Sequence, residues 1–242
     1  MKRVIVVTGG NGGLGQAIAS AFLAEADTGT VVLNVNRHRD RADALADSSE
    51  GRCRVEPWDV TQASEWKRSV AAVLERHGQI DVLVNNAGNH EDGLLATLPI
   101  EAWDRVLALN LDGVFHGCQA VMPAMISQRS GRIVNIASLS ALLPPAGQAN
   151  YAAAKAGVLA LTRSLAKEVA RIGITVNAVC PGYIETDALA GLDEAAKRSA
   201  LAQIPARRFG RPDEVAAAVR FLACSDASYI TGSVLKIDGG IL

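Results

Sequence analysis

Val4-Ile5-Val6-Val7-Thr8-Gly9-Gly10-Asn11-Gly12-Gly13-Leu14-Gly15 is a β-branched run that breaks into five glycines within seven positions and then enters a segment of helical period. The order strand, glycine turn, helix matters more than the glycines alone. Glycine lets a backbone turn tightly and approach an anionic group closely, and the helix that follows presents free N–H groups and the positive end of its dipole to the anion's oxygens. Two spacings fit the same stretch. Gly10, Gly12 and Gly15 spell GxGxxG, whereas Thr8 with Gly9, Gly13 and Gly15 spells TGxxxGxG. The second is the preferred reading.

Outward from this turn, short β-branched runs alternate with longer segments of helical period. The strands expected are Arg3 to Thr8, Val31 to Val35, Arg52 to Glu56, Ile80 to Asn85, Arg132 to Ala137, Ile174 to Cys180 and Val234 to Ile237. Helices are expected near Leu14 to Glu25, Ala42 to Ala46, Ala63 to His77, Ile100 to Ser127, Tyr151 to Arg171 and Pro212 to Cys224. Val4 to Val7 and Val82 to Val84 are apolar on both faces, as strands are when helices cover both sides of a parallel sheet. The pattern predicts an α/β fold, a Rossmann-like doubly wound seven-stranded parallel sheet with helices on both faces, as a single domain over residues 1–242. The charged stretch Glu185 to Arg198 is expected to leave the packed body as a mobile lid.

Composition narrows the classes further. The chain is 49% hydrophobic and 20% charged, which suits a globular core, and its 24 basic and 25 acidic residues offer no broad field for nucleic acid or an anionic membrane. The apolar run at the N-terminus is too short for a signal peptide or a membrane span, so a cytoplasmic location is expected. Cys53, Cys118, Cys180 and Cys224 form no CxxC pair and read as reduced, mostly buried thiols. The four histidines are dispersed, and no metal site is expected.

The second strand runs into Val35-Asn36-Arg37-His38-Arg39. An acidic residue at its end would accept from a ribose 2′-hydroxyl and repel a 2′-phosphate. Here that place holds Val35, and Arg37 can donate a charge-assisted fork to phosphate, so NADP(H) is favoured over NAD(H). Tyr151 and Lys155 stand at i and i+4 on one helix face. Reducing a ketone requires a proton for the developing alkoxide, and a nearby ammonium is expected to lower the phenol's pKa toward use. Ser138, just past the fifth strand, is expected to face that helix start and hold a carbonyl oxygen.

Together these motifs resemble the short-chain dehydrogenase/reductase family, over residues 4–240. The resemblance rests on TGxxxGxG, on Asn85-Asn86-Ala87-Gly88, on Tyr151-Ala152-Ala153-Ala154-Lys155 and on Pro181-Gly182-Tyr183-Ile184-Glu185-Thr186. It implies a catalytic set of Asn110, Ser138, Tyr151 and Lys155, with Asn110 anchoring a proton-carrying water near the lysine. The cofactor residues it implies are Gly9, Asn11, Gly13, Leu14 and Gly15 in the first turn and Asn36 and Arg37 after the second strand. Asp59 would accept from the adenine amine, with Val60 beside it. Asn86, Ala87 and Gly88 follow the fourth strand, Tyr151 and Lys155 reach the ribose, and Pro181, Gly182, Ile184 and Thr186 fix the carboxamide.

Within the family, Gly147 to Gly157, Gly173-Ile174-Thr175-Val176-Asn177 and Ile184-Glu185-Thr186-Asp187 are most similar to β-ketoacyl-acyl-carrier-protein reductases. That likeness implies NADPH-dependent reduction of a 3-oxoacyl thioester to the (3R)-hydroxyacyl product, with Ser138, Gln148 and Tyr151 at the substrate, in a homotetramer. An acidic carrier protein would favour a basic rim, for which Arg129, Arg132 and Arg171 are candidates, although scattered surface arginines read the same way. An acetoacetyl-CoA or other small-ketone reductase would share every catalytic residue. A non-catalytic nucleotide-binding regulator is disfavoured, because all four catalytic positions are filled.

Overall fold

Alternate residues of the first strand divide between two cores. In β1 (Arg3–Val7), Val4 and Val6 pack into one apolar cluster while Ile5 and Val7 pack into the other, so the strand is covered on both faces. The computed structural model describes residues 2–191 and 193–242. Its remaining strands are β2 (Thr28–Val35), β3 (Cys53–Pro57), β4 (Val82–Asn85), β5 (Gly131–Ile136), β6 (Ile174–Pro181) and β7 (Val234–Ile237). They pair in parallel throughout, in the order β3-β2-β1-β4-β5-β6-β7. The order reverses between β1 and β4, and the carboxyl ends of those two strands therefore open a crevice.

Helices α1 (Gly13–Leu23), α2 (Asp40–Asp47) and α9 (Pro212–Leu222) cover one face, supplying Ile18, Phe22, Ala42, Val215 and Val219 to its core. On the other face, α3 (Ala63–His77), α5 (Gly113–Gln128) and α6 (Ala149–Val169) supply Trp66, Val70, Cys118, Val121 and Val158. Cys53, Cys118 and Cys180 are buried free thiols and Cys224 is half-buried, as expected.

Most boundaries fall within two residues of the sequence expectation, and three differences are larger. Strand β2 begins at Thr28, three residues early, because Thr28 and Thr30 already pair with β1. The continuous helix expected over Ile100 to Ser127 is divided into α4 (Ile100–Leu107), a π turn (Ala108–Asp112) and α5. The Asn110 amide explains the break: its Nδ2 donates to the Val106 carbonyl at 2.9 Å, competing for an acceptor of the helical ladder. The excursion expected at Glu185 to Arg198 forms α7 (Asp187–Ala190) and α8 (Glu194–Gln203), the latter capped by Asp193 Oδ1 accepting from Ala196 N at 2.7 Å. Leu192, within that excursion, lies outside the described residues.

Candidate active site

A cleft of about 1400 Å³ opens along the carboxyl ends of the strands. Its floor begins with the glycine turn after β1. Gly9 holds φ +69°, a conformation that suits glycine, and a Cβ on Gly15 would stand 2.3 Å from the Gly9 carbonyl oxygen. The start of α1 can therefore close onto the turn only without a side chain. Gly13 differs, since a Cβ there would meet nothing nearer than Thr186 at 3.7 Å. The turn is tied to β4 by Asn86, whose Nδ2 donates to Thr8 O at 2.8 Å, while Asn86 N and Ala87 N both donate to Thr8 Oγ1 at 2.9 Å. Asn11 turns its Oδ1 toward α2, accepting from Arg41 N at 2.9 Å and Ala42 N at 3.1 Å.

Of the residues expected at a cofactor, Gly9, Asn11, Gly13, Leu14, Gly15, Asn36, Arg37, Asn86, Ala87, Gly88, Pro181, Gly182, Ile184 and Thr186 all line this cleft. Asp59 and Val60 do not line it. Asp59 closes a turn, its Oδ1 accepting from Thr61 N at 2.9 Å and Thr61 Oγ1 at 2.8 Å, and the Val60 carbonyl accepts from Trp66 Nε1 at 3.0 Å.

At the cleft's inner end stand Ser138, Tyr151 and Lys155. Ser138 follows β5 and caps a short 3-10 turn, its Oγ accepting from Ser140 N at 3.1 Å. Tyr151 lies in the first turn of α6. Lys155, one turn on, is 2% exposed; its Nζ donates to the Ile136 carbonyl at 2.9 Å and lies 5.6 Å from the centre of the Tyr151 ring. Burial pushes the Lys155 ammonium down to about 8. Burial likewise pushes the Tyr151 phenol above its ordinary value; hydrogen bonding to Ser138 opposes this, and the Asp92 and Cys180 charges add to it. The lowering expected from Lys155 is not what sets the phenol here: burial does, and the ammonium is directed at the Ile136 carbonyl.

Asn110 sits below this group in the π turn, fully buried. Its Nδ2 donates to Asn89 O at 2.7 Å, and its Oδ1 has no hydrogen-bond partner among the described residues. An orphaned buried acceptor beside a cleft is a natural seat for a water.

The sequence reading named Gln148 but missed the network that holds it. Gln148 Oε1 accepts from Ser140 Oγ at 2.9 Å, and Gln148 Nε2 donates to both Asp92 oxygens, at 3.2 and 3.1 Å. Asp92 also binds His90 Nδ1 at 2.8 Å, and the His90 ring meets Tyr151 edge-on with centroids 5.9 Å apart. The position of His90 and Asp92 two and four residues after Gly88 was the available signal. The candidate basic rim is corrected. Arg129, Arg132 and Arg171 lie at the amino ends of β5 and β6, opposite the cleft, and Arg132 donates to the Gly131 and Gly173 carbonyls. They do not border this chain's own cleft. Among the described residues no helix is long and apolar enough to cross a membrane, and no three His, Cys, Asp or Glu side chains gather as for a metal.

A family model described as "Enoyl-(Acyl carrier protein) reductase" matches residues 9–242. The 3-oxoacyl-[acyl-carrier-protein] reductase FabG of Thermotoga maritima is 44% identical over 243 residues, 99% of this chain and 98% of that one. The FabG of Staphylococcus epidermidis is 41% identical over 245 residues, covering 100% and 99% of the two chains. That of Escherichia coli K12 is 40% identical over 239 residues, covering 99% and 97%.

Proposed function

Since this chain belongs to the short-chain dehydrogenase/reductase family, we propose that it reduces a 3-oxoacyl thioester carried on acyl carrier protein to the (3R)-3-hydroxyacyl thioester, using NADPH. The observation that carries the reading is the convergence of Ser138, Tyr151 and buried Lys155 at the inner end of a glycine-floored cleft. The residues present fit a dinucleotide. Gly9 and Gly15 keep the turn free of side chains, and α1 begins where the anionic centre would lie.

When bound, the reduced nicotinamide supplies the hydride. Ser138 Oγ and the Tyr151 hydroxyl hold the carbonyl oxygen, and Tyr151 gives up its proton as negative charge develops there. A phenol pushed up by burial stays protonated at neutral pH and is charged as a donor before each turnover. Lys155, pushed down to about 8, exchanges protons readily near neutrality and can restore the phenol's. Asn110 Oδ1 would hold the water from which that proton is drawn. Ile184 and Thr186 would orient the carboxamide from the segment after β6. Asp59 would accept from the adenine amine through Oδ2, its Oδ1 being taken by Thr61, with Val60 beside it. Val35 and Arg37 at the end of β2 support NADPH over NADH.

The same reading takes the protein to be a single-domain, cytoplasmic homotetramer, supported by likeness along the full chain to the FabG relatives. The test follows oxidation of NADPH and of NADH with an acetoacetyl thioester on carrier protein and on coenzyme A. Tyr151→Phe should lower kcat by about 10²–10⁴-fold. Preference for carrier-linked substrate supports the proposal; reduction of the coenzyme A thioester alone would favour a small-ketone reductase, and reduction of neither would refute the substrate.

A further inference from the structure

Three arginines follow the carboxyl end of β2, and the structure treats them differently. Arg39 is held within its own helix, its Nε and Nη2 donating to Asp43 at 2.6 and 2.8 Å. Arg37 lines the cleft without a carboxylate partner among the described residues. Arg41 reaches across the mouth of the cleft to a residue 146 positions away, with Nη1 donating to Asp187 Oδ2 at 2.5 Å and Nη2 to Asp187 Oδ1 at 3.2 Å.

Asp187 opens α7 directly after Thr186, which lies over the bare Gly13 of the glycine turn. The clasp therefore joins the start of α2 to the strap that crosses the turn. The start of α2 has little else to offer an anion, since Arg41 N and Ala42 N are both taken by Asn11 Oδ1. Recognition there falls to side chains.

We propose that Arg41 is a second binding cation for the 2′-phosphate of NADP(H), and that Asp187 occupies it until the phosphate arrives and displaces the carboxylate. This deepens, and rests on, the cofactor reading given above. The chemistry favours exchange. The two side chains of the clasp are 50% and 70% exposed, and an ion pair so solvated contributes little. A phosphate monoester carries nearly two charges and three strong acceptor oxygens, so it competes well against one carboxylate for the same guanidinium fork. Displacement also frees Asp187, and with it the tie between α2 and the strap over the glycine turn. A nucleotide lacking the 2′-phosphate leaves the clasp closed, so Arg41 adds to the preference for NADP(H) while Asp187, which only the phosphate must displace, subtracts from it.

The test is equilibrium titration calorimetry of the full chain with NADP⁺ and with NAD⁺, without substrate or turnover. Asp187→Asn removes the competitor and should tighten NADP⁺ about fivefold while leaving NAD⁺ unchanged. Arg41→Ala should weaken NADP⁺ about fivefold, again without effect on NAD⁺, and adding Asp187→Asn to it should then change nothing. Arg37→Ala separates the two levels of the reading. If Arg37→Ala lowers the NADP⁺ preference while the Arg41 and Asp187 variants leave it intact, the clasp is structural only and this inference fails alone. If none of the three variants moves the preference, the assignment of the 2′-phosphate to the end of β2 fails, and the role of Arg41 with it.

Discussion

Replacing Lys155 by methionine should stabilise the ligand-free protein at neutral pH. The ammonium is 2% exposed and pushed down to about 8 by burial, against about 10.4 in an unfolded chain. The folded state thus binds the proton less tightly than the unfolded state. Between those two pKa values the unfolded chain holds more protons, so stability rises with pH across that window, and the full penalty applies below about pH 8. That difference corresponds to about 3 kcal/mol. Methionine is close in length and removes the charge, but it strands the Ile136 carbonyl that Nζ now satisfies, at roughly 1 kcal/mol. The net expectation is a gain of about 2 kcal/mol at pH 7, fading and then reversing toward pH 10.5. Urea unfolding at fixed protein concentration, with native and variant compared at pH 7, 8.5 and 10, reads this directly, because titrations common to both proteins cancel in the difference. A variant no more stable than the native protein at pH 7, with a difference flat in pH, would show that Lys155 carries no burial penalty and that its neighbours already solvate the charge.

Gly15→Ala should weaken nucleotide binding more than tenfold and lower the melting temperature, since its Cβ would enter the 2.3 Å space beside the Gly9 carbonyl; calorimetry and thermal melts check both. Asp92→Asn removes a negative charge that raises the Tyr151 phenol, so the alkaline limb of the reduction rate, where the phenol loses its proton, should move to lower pH. A rate profile with an unmoved limb would discount that coupling. Gly117→Ala places a Cβ 2.5 Å from Asn85 Oδ1 and 2.9 Å from the Trp66 ring, and should cost about 1–3 kcal/mol of stability in denaturant unfolding.

The inner strands β1, β2, β4, β5 and β6 were legible because their apolar, largely β-branched runs belong in a buried parallel sheet, whereas the edge strands β3 and β7 are partly exposed and were legible from their place between helical segments. The first turn was legible because its glycines sit between a strand and a helix. What the sequence hid was hidden for identifiable reasons. The π turn at Ala108–Asp112 depends on an asparagine amide competing with the backbone for a carbonyl, and the apolar periodicity on either side continues as though the helix were whole. The carboxyl end of β3 reads as a cofactor edge, and the sequence did not show that Asp59 there also closes a local turn with Thr61, two positions on. The arginines at 129, 132 and 171 read as candidates for a rim until the parallel order placed them at the far end of the strands. Long-range partners such as Arg41 with Asp187 have no sequence signal, being 146 positions apart.

The glycine that closes Asn85-Asn86-Ala87-Gly88 shows how one such motif serves a residue distant in the chain. A Cβ on Gly88 would stand 2.6 Å from Asn110 Oδ1 and 3.2 Å from Lys155 Nζ. The first contact is with an amide held at both Val106 O and Asn89 O, and the second with an ammonium held at Ile136 O, so neither neighbour can retreat without losing a buried hydrogen bond. The bare backbone at residue 88 is therefore a condition for the amide and the ammonium both to stand against it. The same π turn that breaks the expected helix is what swings Asn110 into that space. A local irregularity in one helix and a missing side chain after β4 are thus two halves of a single arrangement. It leaves Asn110 Oδ1 without a partner among the described residues, close to the lysine proposed to exchange protons.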